Sequence, residues 1–281
     1  MTEVLRTVAE VRAWRRALPA AQKVGFVPTM GALHAGHISL MELAKSRAAV
    51  TIASIFVNPL QFGPNEDLAK YPRPIEKDLA LLEAAGVDAL FLPGVADLYP
   101  EGASTFVVEE NVSGPMCGAV RPGHFRGVTT VVLKLLNIVQ PDLAMFGQKD
   151  AQQCAVIERM VRDLAVPVEI VRGPIVREPD GLALSSRNVY LGPEDRAAAP
   201  LIHASLQAAK AAFEAGQHDA GTLAAIGRAV LGQDPRFTTQ YWDVRDPQAL
   251  DAIDIVPTNG GALFAVAAYL GATRLIDNIV V

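Results

Sequence analysis

The sequence predicts an α/β protein, a Rossmann-like doubly wound parallel sheet over residues 1–175 with a smaller C-terminal α+β domain over 176–281. Three observations lead there. Short apolar runs alternate with helix-length stretches through the first 170 residues. Those runs are continuously apolar, as strands are when helices cover both faces of a parallel sheet. After Pro174 the order changes to two Ala-rich helical stretches followed by three β-like runs, which is the pattern of a separate α+β unit.

The elements follow in chain order. Thr7 and Glu10 have capping-box spacing before Val11, Trp14 and Leu18, which predicts an opening amphipathic helix. Val24 to Val27 is the first strand, Pro28-Thr29-Met30-Gly31 a turn, and a helix starting at Gly36 runs through Ala44. Val50 to Val57 is the second strand. Pro74 to Ala85 reads as a helix with Pro74 at its first position and Gly86 as its cap, and Val87 to Leu92 as a buried strand. Gly127 to Val139 is helical and ends at Gln140-Pro141, Leu143 to Phe146 is a strand, Ala151 to Leu164 a helix, and Val168 to Val171 a strand. Beyond the Glu178-Pro179-Asp180-Gly181 turn, Pro193 to Gly216 reads as one long helix and Gly221 to Leu231 as another. Thr238 to Val244, Leu263 to Tyr269 and Arg274 to Val281 close the chain as strands.

Composition narrows the function. The 281 residues are 51% hydrophobic with a net charge of −5, enough apolar material for one large or two medium cores. An acidic chain with no basic cluster longer than Arg15-Arg16 is not built to wrap a long nucleic acid. Cys117 and Cys154 form no C-x-x-C pair and read as buried thiols in a reducing compartment. The first residues lack a signal-peptide core and no stretch reaches a membrane span, so a cytoplasmic protein is expected.

The chemistry concentrates at strand ends, where doubly wound sheets bind ligands. His34-Ala35-Gly36-His37 follows the first strand and turn; two imidazoles three residues apart at a helix start, beside free N–H groups, suit a polyphosphate. Gly36 lets phosphate approach the backbone. The plain alternative is two helix-start histidines with no ligand. Asn58-Pro59-Leu60-Gln61-Phe62-Gly63 ends the second strand with amides that fit hydroxyls and carboxylates, and the segment from Gly63 to Pro74 is either a lid or an ordinary connection. Arg121-Pro122-Gly123-His124-Phe125-Arg126-Gly127 sets cations and glycines before a helix, a third place for an anion. Gly147-Gln148-Lys149-Asp150 places a cation at the sheet's binding edge, with Asp150 either a helix cap or a ribose acceptor and Gln153 four residues on from Lys149. Ser185-Ser186-Arg187 supplies two hydroxyl donors and a fixed cation, either a clamp on a polyphosphate or a polar surface turn. Glu76 and Asp78, at a helix start, ordinarily satisfy the helix dipole. The histidines are not spaced as a zinc set.

Five stretches in this order, Pro28 to His37, Phe56 to Phe62, Arg121 to Gly127, Phe146 to Gln153 and Leu184 to Asn188, resemble the pantothenate synthetase (pantoate–β-alanine ligase) family. That family lies within the nucleotidyltransferases that carry an H-x-G-H motif. Departures are small: Ala35 and Gln148 stand where the family often has Glu, and Leu184 where it often has Met. The resemblance implies an ATP- and Mg²⁺-dependent ligation of D-pantoate to β-alanine through pantoyl adenylate, releasing pyrophosphate and then AMP. It implies that His34, His37, Lys149, Ser185, Ser186 and Arg187 surround the phosphates, that Met30, Gly36, Gly147, Asp150, Val176 and Leu184 line the ATP site, and that Gln61, Gln153 and Asn58 hold pantoate. It also offers Asp78 as a magnesium contact and a homodimer as the assembly. Two other readings stay open: an adenylyltransferase of the same superfamily, and a nucleotide-binding protein without turnover.

Overall fold

The computed structural model describes residues 1–64 and 66–281. Asn65, inside the segment read as lid or connection, lies outside the described residues. Six parallel strands, β1 (Glu3–Leu5), β2 (Val24–Thr29), β3 (Val50–Ile55), β4 (Ala89–Phe91), β5 (Leu143–Gly147) and β6 (Glu169–Gly173), lie in the order β1-β4-β3-β2-β5-β6. The chain therefore winds outward from β2 through β3 to β4, returns to the middle, and winds the other way through β5 to β6. The reversal falls between β2 and β5. Those two strands pair only at Gly25↔Leu143 and Phe26↔Ala144, whereas β2 stays with β3 to Thr29↔Ile55 and β5 with β6 to Gly147↔Gly173. Their carboxyl ends separate, and a crevice opens there.

Successive residues of β2 face opposite layers, as strand geometry requires. Val24 and Phe26 pack into a core with helices α1 (Val8–Ala17), α6 (His124–Val139) and α7 (Ala151–Asp163). Val27 enters the opposite core, made with α2 (Ala35–Arg47) and α3 (Ile75–Ala84). The predicted box at the start of α1 is present: Glu10 N–H donates to Thr7 Oγ1 at 3.2 Å, and Thr7 N–H to the Glu10 carboxylate at 3.1 Å. Two single-turn helices, α4 (Val95–Leu98) and α5 (Cys117–Val120), lie in the connection from β4 to α6.

Past β6, α8 (Pro193–Ala198), α9 (Leu201–Glu214) and α10 (Ala220–Leu231) precede an antiparallel sheet, β7 (Phe237–Arg245), β8 (Leu263–Leu270) and β9 (Thr273–Val280), in that order. Trp242, Phe264, Leu206 and Leu223 are buried in its core, while Leu263 and Ala265 reach the core of the parallel sheet and tie the two together.

Several boundaries differ from the sequence reading. The single helix expected over Pro193 to Gly216 is two, because Pro200 has no N–H to continue α8 and instead starts α9. Helix α2 starts at Ala35 with His34 as its cap, and α3 at Ile75 with Pro74 as its cap. Helix α6 begins three residues earlier than expected, at His124. Strand β1 is too short at three residues to show a pattern, and the sequence reading has no strand there. Among the described residues, no helix is long and apolar enough to cross a membrane.

Candidate active site

Three 3₁₀ turns, Pro59–Gln61, Gln148–Asp150 and Ser186–Tyr190, bring their side chains to the crevice beside the start of α2. The result is a cavity of about 240 Å³ lined by Met30, His34, Gly36, His37, Asn58, Gln61, Gly147, Lys149, Asp150, Gln153, Val176, Leu184, Ser185, Ser186 and Arg187. Every site residue named from the sequence except Asp78 is on that wall. It adjoins a second cavity of about 450 Å³ that reaches β9, and the two share Arg121, His124, Lys149, Asp150, Gln153, Ser185 and Arg187.

The histidines are held as neutral donors. His34 Nδ1 accepts the Gly36 N–H at 3.2 Å, and His37 Nδ1 accepts the His34 N–H at 3.3 Å. With each Nδ1 serving as acceptor, the ring proton of a neutral imidazole sits on Nε2. Burial, followed by Lys149, lowers the His34 pKa to about 4; burial, followed by His34 and then Lys149, lowers that of His37 to about 3. The rings lie 4.1 Å apart between centroids, tilted 44° to each other. A Cβ on Gly36 would stand 3.0 Å from the His34 ring, so glycine here protects the histidine cap as well as the approach of a ligand.

Gln61 is oriented by a relay. Asn58 is buried; its Oδ1 accepts from Leu60 N–H and from the Tyr99 hydroxyl at 2.8 Å, and its Nδ2 donates to Gly127 O and to Gln61 Oε1. Those fixed partners set which end of the Asn58 amide is nitrogen. They thereby fix the Gln61 amide, whose NH₂ points to Met30 Sδ at 3.2 Å on the cavity wall. Asn58, read from the sequence as a ligand contact, has its hydrogen-bonding capacity taken up inside the protein and acts by positioning Gln61. Gly127 makes this close approach possible, since a Cβ there would lie 2.4 Å from Leu60 O.

Asp78 is corrected outright. Its carboxylate is fully buried away from the cavity and accepts the N–H groups of Ala32 and Leu33, each at 2.8 Å. It holds Ala32 in a left-handed conformation at φ 51° and so shapes the turn before His34. Burial raises its pKa against those two donors. Among the described residues, no group of three His, Cys, Asp or Glu side chains is placed to hold a metal ion.

The cations differ in availability. Arg187 is paired with Asp67 through Nη2 at 3.0 Å and Nε at 3.2 Å. Ser186 Oγ lies 3.2 Å from the Tyr71 hydroxyl, so the serine loop is latched onto the segment before α3. Arg121 is bound to both Glu66 oxygens at 2.6 Å and donates to His124 Nε2 at 3.0 Å, while His124 Nδ1 donates to Gln61 O at 2.8 Å. Burial, and then Arg121, lowers the His124 pKa to about 4. Arg121 and His124 are thus engaged within the protein, whereas Arg126 lies over the Phe106 ring, 3.6 Å from its centroid. Lys149 has only Asp150 near it, at 3.9 Å, and is the least neutralised cation on the cavity among the described residues. Asp150 occupies the cap position of α7 without a side-chain cap bond, which leaves its carboxylate to the cavity.

Sequence reasoning missed Asp67, Tyr71 and Tyr99. Their partners are 120, 115 and 41 residues away, and no local pattern marks them. Gln148 turns away from the cavity, donating to Asn278 Oδ1 at 3.1 Å.

The geometry meets its relatives here. The family model described as pantoate-beta-alanine ligase matches residues 3–280. A pantothenate synthetase of Herpetosiphon aurantiacus is 54% identical over 278 residues, 99% of each chain. Another, of Chloroflexus aurantiacus, is 54% identical over 276 residues, 98% of this chain and 97% of that one. The crystal structure of pantothenate synthetase from Thermus thermophilus superposes with a TM-score of 0.94 at 49% identity over 99% of both chains. Pantoate-beta-alanine ligase from Francisella tularensis, solved with beta-gamma ATP and beta-alanine, gives a TM-score of 0.82 at 36% identity over 100% of this chain and 98% of that one. With family model, relatives and fold in agreement over nearly the whole chain, it belongs to the pantoate-beta-alanine ligase family.

Proposed function

We propose that this ligase joins D-pantoate to β-alanine in two half-reactions at the crevice between β2 and β5. In the first, a pantoate carboxylate oxygen attacks the α-phosphorus of ATP, the bond to the bridging oxygen breaks, and pyrophosphate leaves. In the second, the β-alanine amine attacks the acyl carbon, AMP leaves with the bonding pair, and the amine loses a proton. Neither step needs a protein nucleophile, and the wall offers donors and cations.

The observation that carries this reading is the fixed pair of Nε2–H donors facing the same cavity as Lys149. Neutral imidazoles donate to phosphoryl oxygens without competing for a proton, and Lys149 supplies charge where negative charge grows. Ser185, Ser186 and Arg187 close on the phosphates, while Met30, Gly36, Gly147, Val176 and Leu184 line the nucleotide. Gln61, oriented by Asn58, and Gln153 on α7 hold the pantoate hydroxyls and carboxylate. Mg²⁺ bound with ATP would neutralise phosphate charge, and the half-exposed Asp150 carboxylate is the hard oxygen donor beside Lys149 that suits it.

Pyrophosphate release from MgATP with D-pantoate alone, then AMP and pantothenate on adding β-alanine, tests both stages. Pyrophosphate release dependent on some other acid would keep the phosphate site and discard pantoate. AMP transfer to a phosphorylated acceptor would favour the adenylyltransferase reading, and binding without release a non-catalytic one.

A further inference from the structure

The second cavity, of about 450 Å³, is of the size that admits a whole small molecule, and its wall runs from the serine loop to the antiparallel sheet. Each carboxylate on that wall has a cation of its own. Glu66 holds Arg121 at 2.6 Å, Asp67 holds Arg187 at 3.0 Å, Asp277 holds Arg177 at 2.6 Å, and Asp150 stands 3.9 Å from Lys149. Lys70 and Arg274 are left over, and of these Lys70 is exposed to solvent while Arg274, on β9, is half-buried. Arg274 Nε donates to Gln240 Oε1 at 2.7 Å and its Nη2 to Cys117 Sγ at 3.3 Å. It is held by an amide oxygen and a sulfur, with no carboxylate in ion-pair reach among the described residues, and its Nη1 has no partner among them. A guanidinium stays charged, so the protein itself leaves this charge poorly balanced. The Tyr241 hydroxyl, 3.2 Å from the same sulfur, adds a second polar group to this end of the cavity. An oxyanion is the ligand that such chemistry admits.

We propose, resting on the ligase reading above, that the Arg274 end of the cavity is a station for the pyrophosphate released in the first half-reaction. In an in-line displacement the leaving oxygen departs on the face of phosphorus opposite to the attacking one. Gln61, on the pantoate side, and His34 and His37 line the first cavity alone, whereas Lys149, Ser185 and Arg187 line both. The departing diphosphate therefore stands on the shared wall, turned away from pantoate, with the second cavity as the space that continues from it. As it moves on to Arg274, Lys149 and Arg187 recover Asp150 and Asp67 as partners, and Arg274 gains the anion that the fold does not give it. Negative charge then leaves the neighbourhood of the α-phosphorus, which disfavours re-formation of ATP. The shared wall is vacated for β-alanine while the adenylate stays in the first cavity. Pyrophosphate carries more charge than the β-alanine carboxylate and reaches this space before it, which makes it the occupant.

Equilibrium binding tests the station without turnover. With AMP bound, magnesium pyrophosphate titrated calorimetrically is expected to bind Arg274→Gln about tenfold more weakly than the native chain, the loss of a hydrogen bond to a charged group. Arg274→Lys, which keeps the charge, should recover most of that loss, and AMP should bind all three equally. In turnover, inhibition by added pyrophosphate should weaken by the same factor while KM for pantoate, ATP and β-alanine holds. A crystal of the native protein with AMP and methylenediphosphonate, which asks no variant to fold, should show the diphosphonate on Arg274. Unchanged pyrophosphate binding in a folded Arg274→Gln variant, an equal weakening of AMP, or a diphosphonate seated only on Lys149, Ser185 and Arg187 would each overturn the proposal. So would a rise confined to KM for β-alanine, which would give Arg274 to the carboxylate of the amine substrate. A protein that binds pyrophosphate through Arg274 but releases none from MgATP and pantoate would lose the ligase reading and keep the site.

Discussion

Asn58 donates to Gln61 Oε1 across 3.0 Å, and this bond decides which end of the Gln61 amide faces Met30 on the cavity wall. Gln61→Glu preserves the shape but replaces the NH₂ donor with an anionic oxygen aimed at an anionic substrate. Loss of a hydrogen bond to a charged group costs about 1.5–3 kcal/mol, so KM for pantoate should rise about ten- to a hundredfold while KM for ATP changes little. Asn58→Ala should move the same constant in the same direction, with a lower melting temperature because Gly127 O and the Tyr99 hydroxyl lose a buried partner. Equal rises in both substrates' KM would remove Gln61 from the pantoate end.

The three low-pKa histidines set the acid limb of stability. His34, His37 and His124 fall to about 4, 3 and 4 in the fold, below the unfolded value of about 6.5. Between those values the unfolded chain binds protons that the native state refuses, so their stabilising effect is complete above pH 6.5 and is lost as pH falls toward 4. For His37 the loss between pH 7 and pH 5 is about 2 kcal/mol. Denaturant melts at the two pH values should show that drop, and His37→Gln should reduce it. A His37→Gln variant with the parent's pH slope would mean that the imidazole protonates freely in the fold.

What the sequence made legible was local. The apolar runs of β2, β3 and β5, the glycines and histidines after them, and the break at Gln140-Pro141 each carry their signal within a few residues. His34 as a helix cap was not legible, because Ser, Thr, Asp and Asn ordinarily fill that place and an imidazole does so only when its ring can fold back over a glycine. Asp78 looked like a helix-start acid because its partners, Ala32 and Leu33, lie 46 and 45 residues upstream. Strand β1 is specified by pairing with β4, not by its own three residues. The fold was therefore readable from periodicity, while the tasks of Asn58, Asp78 and Asp67 depend on contacts that only the fold creates.

Asn278, on β9, reaches across from the antiparallel sheet to the carbonyls of Gln148 and Lys149, donating at 2.9 and 3.0 Å. It is buried and holds the backbone from which Lys149 extends. Asn278→Ala leaves both carbonyls without that donor and frees the turn, so adenylate formation should slow about tenfold, a loss of about 1.4 kcal/mol, with KM for pantoate nearly unchanged. Single-turnover pyrophosphate release resolves this. An unchanged rate in a folded variant would show that Lys149 finds its place without β9.

Arg187 begins bound to Asp67, so closing on a phosphate means exchanging one anion for another. The pair is half-buried, with side chains 29% and 24% exposed, and an ion pair of that exposure contributes about 1 kcal/mol. Asp67→Asn removes the competing charge, leaves an amide that still accepts from the guanidinium, and frees Arg187 for the nucleotide. KM for ATP should fall up to about fivefold, and added salt should narrow the difference from the parent. Arg187→Ala in the same background should abolish the gain. If Asp67→Asn instead weakens ATP, then Asp67 acts as the brace that aims Arg187 at the phosphates, and the ion pair persists with nucleotide bound.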